Sequence, residues 1–252
     1  MCSVYIVGVG PGDLGLITVK ALSIIKEADV IVYDRLIPPD LLGLTRPDAE
    51  LVFAGKELGH HVMEQAEINE LLLKRAREGK MVARLHGGDP FLFGRGFEEC
   101  LELLRNGIKC TVIPGITSAI AAPERFLVPL VVRGIASSVA IVTGTEDPNK
   151  GKRFVNFKEL AGKVDTIVVL MGRHRIKEIA EELVAGGLSP ATPVAAISKA
   201  FMDGEKIVFT TLRDVNGDEL ESPVVFVIGN VVQAAASLSN AGKQSIPNRK
   251  DG

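Results

Sequence analysis

The chain has 252 residues, with 29 Lys and Arg against 31 Asp and Glu and a formal net charge of −2. Hydrophobic residues make up 46% of it and aromatic residues 5%, with no Trp. That apolar fraction excludes a disordered chain, and the balanced charge excludes a basic surface spread over the protein for nucleic acid.

The N-terminus runs straight into a strand, Ser3 to Val9, that ends among glycines. No basic stretch with an apolar run precedes it, so we expect no secretory signal and a cytoplasmic protein. No apolar run reaches the roughly 18 residues a membrane span requires. A helix from Thr18 to Ala28 follows, with Leu22 and Ile25 on one face. Strands are expected at Val30 to Tyr33 and Glu50 to Phe53. His60 and His61 are adjacent and point different ways on any regular element. The histidines lack ligand spacing, so no metal is expected. Glu64 to Glu78 reads as a helix: Ile68, Leu71, Leu72 and Ala76 share a face, and Gly79 sits where a C-terminal cap belongs. Met81 to Leu85 is a strand, Gly96 to Asn106 a helix stopped by Gly107, and Cys110 to Ile113 a strand. Cys2, Cys100 and Cys110 are odd in number and lack close pairing, so reduced thiols are expected.

Pro114-Gly115 then punctuates the chain. A second series follows: strands at Val139 to Thr143 and Thr166 to Leu170, a helix from Arg175 to Ala185, and a strand at Pro193 to Ser198. Lys206 to Thr210 and Val224 to Ile228 are further strands, and the tight Met202-Asp203-Gly204 link predicts an antiparallel pair. The alternation predicts an α/β protein of two domains. A mainly parallel sheet is expected over residues 1–114 and a mixed sheet over 115–240, with 241–252 a flexible tail.

The segments with candidate chemistry all lie at the C-terminal ends of expected strands, where open α/β sheets bind ligands. Gly8-Val9-Gly10-Pro11-Gly12-Asp13 is either a ligand loop or an ordinary tight turn. Its third glycine comes too early for the dinucleotide fingerprint. Asp34, in Tyr33-Asp34-Arg35-Leu36, can hold a ribose, act as a general base, or pair with Arg35 on the surface. The run from Arg84 to Gly96 holds Gly87, Gly88, Gly94 and Gly96 with Pro90. Fixing each glycine costs roughly 0.5–1 kcal/mol, so such a loop is kept for the surface its backbone forms. Asp89 can hold an amino or ribose hydroxyl group, and Arg95 an anion; alternatively Asp89 caps a turn. Thr117 and Ser118 are a helix cap or ligand donors. Met171 fills core or lays its thioether against a flat ring. Because these segments come from both halves, a cleft between the domains is expected.

Together the motifs closely resemble the tetrapyrrole methylase family, and within it the uroporphyrinogen-III C-methyltransferases. The likeness runs from Val4 to about Val232. Val4 to Asp13 resembles the whole family. Tyr33-Asp34-Arg35-Leu36, Gly55-Lys56 and Gln65-Ala66-Glu67-Ile68-Asn69 resemble the uroporphyrinogen enzymes more narrowly. Gly87-Gly88-Asp89-Pro90 and Pro114-Gly115-Ile116-Thr117-Ser118-Ala119 complete the set.

The resemblance implies methyl transfer from S-adenosylmethionine to carbons 2 and 7 of uroporphyrinogen III, giving precorrin-2 and S-adenosylhomocysteine. It implies a homodimer. Pro11, Gly87, Gly88, Asp89, Leu92, Thr117, Ser118, Met171 and Ala200 would contact the cofactor. Asp34 would be the proton acceptor and Lys56 the proton donor, with Arg35 and Lys56 binding the substrate carboxylates. Arg84, Arg95 and Arg133 are further basic candidates. The family's usual Lys before the paired glycines is His86 here, and its Thr-His after Pro129-Leu130 is Val131-Val132. The competing readings are a later corrinoid methylase, an NAD-dependent oxidoreductase, and a nucleotide-binding module without activity.

Overall fold

A computed structural model describes residues 3–55, 63–146 and 154–236. The chain divides into two compact units, Met1–Ser118 and Ala119–Gly252.

The first unit alternates strands and helices: β1 (Ser3–Gly8), α1 (Val19–Glu27), β2 (Val30–Tyr33), α2 (Pro39–Leu42), β3 (Glu50–Phe53), α3 (Gln65–Arg77), β4 (Val82–His86), α4 (Gly96–Arg105) and β5 (Lys109–Ile113). The sheet order is β3-β2-β4-β1-β5, and every pairing is parallel. Successive residues of β1 serve opposite faces. Ile6 packs with Leu72 and Leu103 under α3 and α4, and Val7 with Ile25 and Leu41 under α1 and α2. Burial on both faces explains why β1 and β2 read as near-continuous apolar runs. Helix starts follow local chemistry. The Thr18 hydroxyl accepts from the Ala21 amide at 3.1 Å, and Glu64 with Glu67 forms a capping box on α3. On α3 it is Leu73 that is buried with Ile68, Leu72 and Ala76, while Leu71 is half-buried.

The expectation of reduced thiols is corrected. Cys100 on α4 and Cys110 on β5 form a disulfide, with Cα atoms 5.5 Å apart. The chain turns back at Gly107, so α4 lies on the strand that follows it and the two side chains meet in one apolar cluster. Cys2, Lys56, His60 and His61 lie outside the described residues.

The second unit holds α5 (whose first residue, Ser118, closes the first unit; Ser118–Arg125), β6 (Val139–Thr143), α6 (Phe157–Leu160), β7 (Thr166–Leu170), α7 (Ile176–Ala185), β8 (Pro193–Ser198), β9 (Lys206–Thr211) and β10 (Val224–Ile228). Its sheet order is β6-β7-β10-β8-β9. Only β6 and β7 pair in parallel, and β10 runs antiparallel to both β7 and β8. The sheet is therefore mixed, and β8 and β9 are the expected antiparallel pair. Phe157, Ile179, Leu183 and Phe226 are central to its core. Among the described residues, no helix is long and apolar enough to cross a membrane.

Candidate active site

Because the first sheet is parallel throughout, the C-terminal ends of its strands share one edge. The loops after β1, β2, β4 and β5 all leave from that edge, and they are held together there. Gly10 and Gly88 exchange backbone hydrogen bonds of 3.2 and 2.7 Å. Gly8 and Gly115 touch so closely that a Cβ on Gly8 would stand 2.5 Å from the Gly115 nitrogen. Gly87 faces the loop after β2, where a Cβ would stand 2.9 Å from Leu36 Cβ.

Asp89 organises this edge. Its Oδ1 accepts the amides of Phe91 at 2.8 Å and Leu92 at 3.2 Å, and its Oδ2 accepts the Gly115 amide at 3.2 Å. The capping reading of Asp89 is thus part of the answer. A carboxylate has about four acceptor positions, so one remains for a ligand donor. Of the residues expected to contact a cofactor, Pro11, Gly87, Gly88, Asp89, Leu92 and Thr117 lie on the loops of this edge, and Ser118 opens α5 directly after one of them. No Lys or Arg occurs in residues 8–13, 87–94 or 114–117. That donor set fits an uncharged or amino-bearing adenosyl ligand better than a pyrophosphate. The dinucleotide reading loses further ground at α1. A 3-10 turn at Leu14–Leu16 and the Thr18 cap separate the glycines from the helix N-terminus that would hold phosphate.

In the second unit, Met171 follows β7 and Ala200 follows β8. Both strands run antiparallel to β10, so these residues leave the same sheet edge, with β10 between their strands. Met171 is half-exposed, at 51%, and adopts a left-handed φ of 53°. The Thr145 hydroxyl fixes it by donating to the Met171 carbonyl at 2.7 Å. It does not fill core. Lys199 and Phe201, on either side of Ala200, are also left-handed, with φ of 53° and 62°. Non-glycine residues held there cost of order 1–3 kcal/mol and cluster at functional loops.

Asp34 directly follows β2, with its side chain 27% exposed. Its Oδ1 accepts the Leu36 amide at 2.9 Å, and its Oδ2 lies 4.0 Å from Arg84 Nη2. Its ion partner is thus Arg84 on the neighbouring strand, and Arg35 extends into solvent. Arg95 pairs with Glu98 on the surface at 2.6 Å. Arg133 is exposed beside a tight turn in which the Val132 amide donates to the Ala136 carbonyl at 3.0 Å.

Arg84 is only 5% exposed, so it is no solvated surface charge. Its Nε donates to Glu99 Oε1 at 3.2 Å and its Nη1 to the Leu85 carbonyl at 3.0 Å. His86, two residues on and so on the same face of β4, meets Glu99 Oε2 at 2.9 Å. Gln65 Nε2 donates to Glu99 Oε1 at 3.1 Å. Burial pushes the Glu99 carboxyl up, but the His86 hydrogen bond, the Arg84 charge and the Gln65 bond outweigh it and hold Glu99 at about 2. An ionised carboxylate only accepts, so His86 donates from Nε2. Sequence reasoning passed over Glu99. The signal was a charged residue in register with Gly96, Cys100 and Leu103 on the buried face of α4.

The chain is similar to known proteins over most of its length. The family model for tetrapyrrole (corrin/porphyrin) methylases matches residues 3–216. A uroporphyrinogen-III C-methyltransferase of Methanocaldococcus jannaschii is 45% identical over 239 residues, covering 93% of this chain and 98% of that protein. The crystal structure of a uroporphyrin-III C-methyltransferase from Thermus thermophilus complexed with S-adenosylhomocysteine superposes with a TM-score of 0.79. It is 40% identical and covers 92% of this chain and 93% of its own. A cobalt precorrin-4 methyltransferase superposes with a TM-score of 0.81 at 33% identity, covering 92% of this chain and 96% of its own. With a matching model over most of its length and a relative this similar from end to end, the chain belongs to the tetrapyrrole (corrin/porphyrin) methylase family.

Proposed function

We propose that this protein is an S-adenosylmethionine-dependent methyltransferase that methylates uroporphyrinogen III at carbons 2 and 7, giving precorrin-2. The observation that carries the reading is Asp34. It is a half-buried carboxylate beside the glycine-lined edge, opposite a buried cation and open on one oxygen. The bound S-adenosylmethionine supplies a methyl already activated on a sulfonium. The chain's own residues then have to align the acceptor carbon, exclude water and take up one proton as the carbon is methylated. In this reading Asp34 accepts that proton. Arg35 and Lys56 hold substrate carboxylates, and Lys56 returns a proton. The uncharged backbone of Pro11, Gly87, Gly88 and Leu92 holds the cofactor with Asp89, Thr117, Ser118, Met171 and Ala200.

The working unit in this reading is a homodimer. Exposed apolar side chains support a partner copy: Phe91 and Phe97 pack edge to face at 5.9 Å, and Leu127 and Val131 are also exposed. A cytoplasmic location belongs to the same reading, and the Cys100–Cys110 bridge is the feature that runs against it. The test of the site is Asp34→Ala, assayed with uroporphyrinogen III and methyl-labelled S-adenosylmethionine. Turnover is lost while cofactor affinity, measured by calorimetry, survives. Full turnover would remove Asp34 from the chemistry.

A further inference from the structure

Glu99 has no part in the reading above, although it holds the Arg84 that faces Asp34. Glu99 is fully buried, and the side chains of Arg84 and His86 are 6% and 7% exposed. Stability alone is a poor reason for such a group, because apolar residues of similar volume often serve as well or better than a buried ion pair. Its arrangement is more informative. Two arms of the Arg84 guanidinium are occupied: Nε by Glu99 and Nη1 by the Leu85 carbonyl. The remaining arm, Nη2, points at Asp34 and stops 4.0 Å from Oδ2. That is close enough to act by charge and too far to hydrogen-bond.

A guanidinium without these anchors pairs with a nearby carboxylate through two parallel hydrogen bonds. Such a pair would take up the oxygen lone pairs that a base offers to its proton. Glu99 instead takes the Arg84 Nε, and it also accepts from Gln65 and His86. The other contact of Asp34, the Leu36 amide on Oδ1, orients the carboxylate and leaves Oδ2 open.

We propose that Glu99 is a positioning residue for the methyl transfer: it holds Arg84 away from Asp34, so that the Asp34 carboxylate stays open to the substrate proton. The inference rests on Asp34 being the proton acceptor. It makes Arg84 harmful once Glu99 can no longer restrain it, which no purely structural role would do.

The test compares Glu99→Gln with the double variant Glu99→Gln/Arg84→Met in the full chain. Turnover of uroporphyrinogen III, KM, melting temperature and S-adenosylhomocysteine affinity are measured for each. Glu99→Gln is expected to lower kcat about thirtyfold, with KM and cofactor affinity within about threefold of wild type. Removing Arg84 in that background is expected to return kcat to within about tenfold of wild type. Glu99→Asp, which keeps the restraining charge, is expected to retain most of kcat. A single variant with kcat within about threefold of wild type, or a double variant no more active than the single, overturns the inference. If Glu99→Gln does not fold, the double variant carries the test: kcat within about tenfold of wild type supports the inference, and a larger loss overturns it. Asp34→Ala separates this inference from the reading it rests on. Full turnover there sinks both, whereas lost turnover there with an unrescued double variant sinks the role of Glu99 alone.

Discussion

Gly8 and Gly115 meet backbone to backbone where β1 and β5 end, with the Gly88 carbonyl closing the third side. A Cβ on Gly8 would stand 2.5 Å from the Gly115 nitrogen and 2.7 Å from the Gly88 oxygen. All of these neighbours are backbone, which cannot swing away as a side chain can. Gly8→Ala is therefore expected to force the loops apart, costing about 1–3 kcal/mol of stability. It should also weaken S-adenosylhomocysteine binding. Thermal melts and calorimetry check the two effects, and a melting temperature equal to wild type would mean that the loops are not locked.

Asp89 holds three backbone amides from two loops. Asp89→Ala leaves them without this acceptor, and each such hydrogen bond contributes about 0.5–1.5 kcal/mol. The expected result is cofactor binding weakened about tenfold or more in calorimetry. Asp89→Asn, which keeps an acceptor oxygen, should fall between that variant and wild type. Unchanged affinity in Asp89→Ala would make the loop purely structural.

Met171 separates backbone strain from side-chain contact. Its φ of 53° suits glycine, and a left-handed L-residue costs roughly 1–2 kcal/mol. Glycine also loses more chain entropy on folding. Met171→Gly is thus expected to leave stability unchanged or raise it by about 1 kcal/mol, while cofactor affinity falls for want of the thioether. Denaturant titration and calorimetry on the same preparation test both halves of that statement.

Glu99 makes folding stability depend on acid. Its carboxyl is held at about 2 in the fold, against an ordinary value of 4.5. A depressed folded value means that the stabilisation is fully present above the unfolded value, and is lost as pH falls toward about 2. The gap corresponds to stability on the order of 3 kcal/mol. Glu99→Gln should therefore unfold at lower urea concentration than wild type at pH 7, and the difference should shrink steadily below about pH 4.5. A difference independent of pH would mean that the carboxylate is not ionised in the fold.

The first sheet was readable because a parallel strand buried on both faces is an apolar run, and each run here ends in residues that suit a loop. Ser3–Gly8 and Val30–Tyr33 stand out in this way, and Gly79 and Gly107 mark where helices stop. The short helices Pro39–Leu42 and Phe157–Leu160 span about one turn and show no period. Pro123 disguises Ser118–Arg125 by sitting inside it. The disulfide was misread because spacing along the chain says nothing of the turn that lays α4 on β5. At the site, Asp34 and Asp89 were visible as acids at strand ends. Glu99 was visible only as a charge on an apolar helix face, and its meaning depends on Arg84, His86 and Gln65, which reach it from two other elements.

Purified protein incubated without oxygen with uroporphyrinogen III and methyl-labelled S-adenosylmethionine should yield a product heavier by two labelled methyl groups, read by mass spectrometry. A tetrapyrrole recovered with no added methyl mass, under conditions where the cofactor binds, would contradict the proposed methyl transfer.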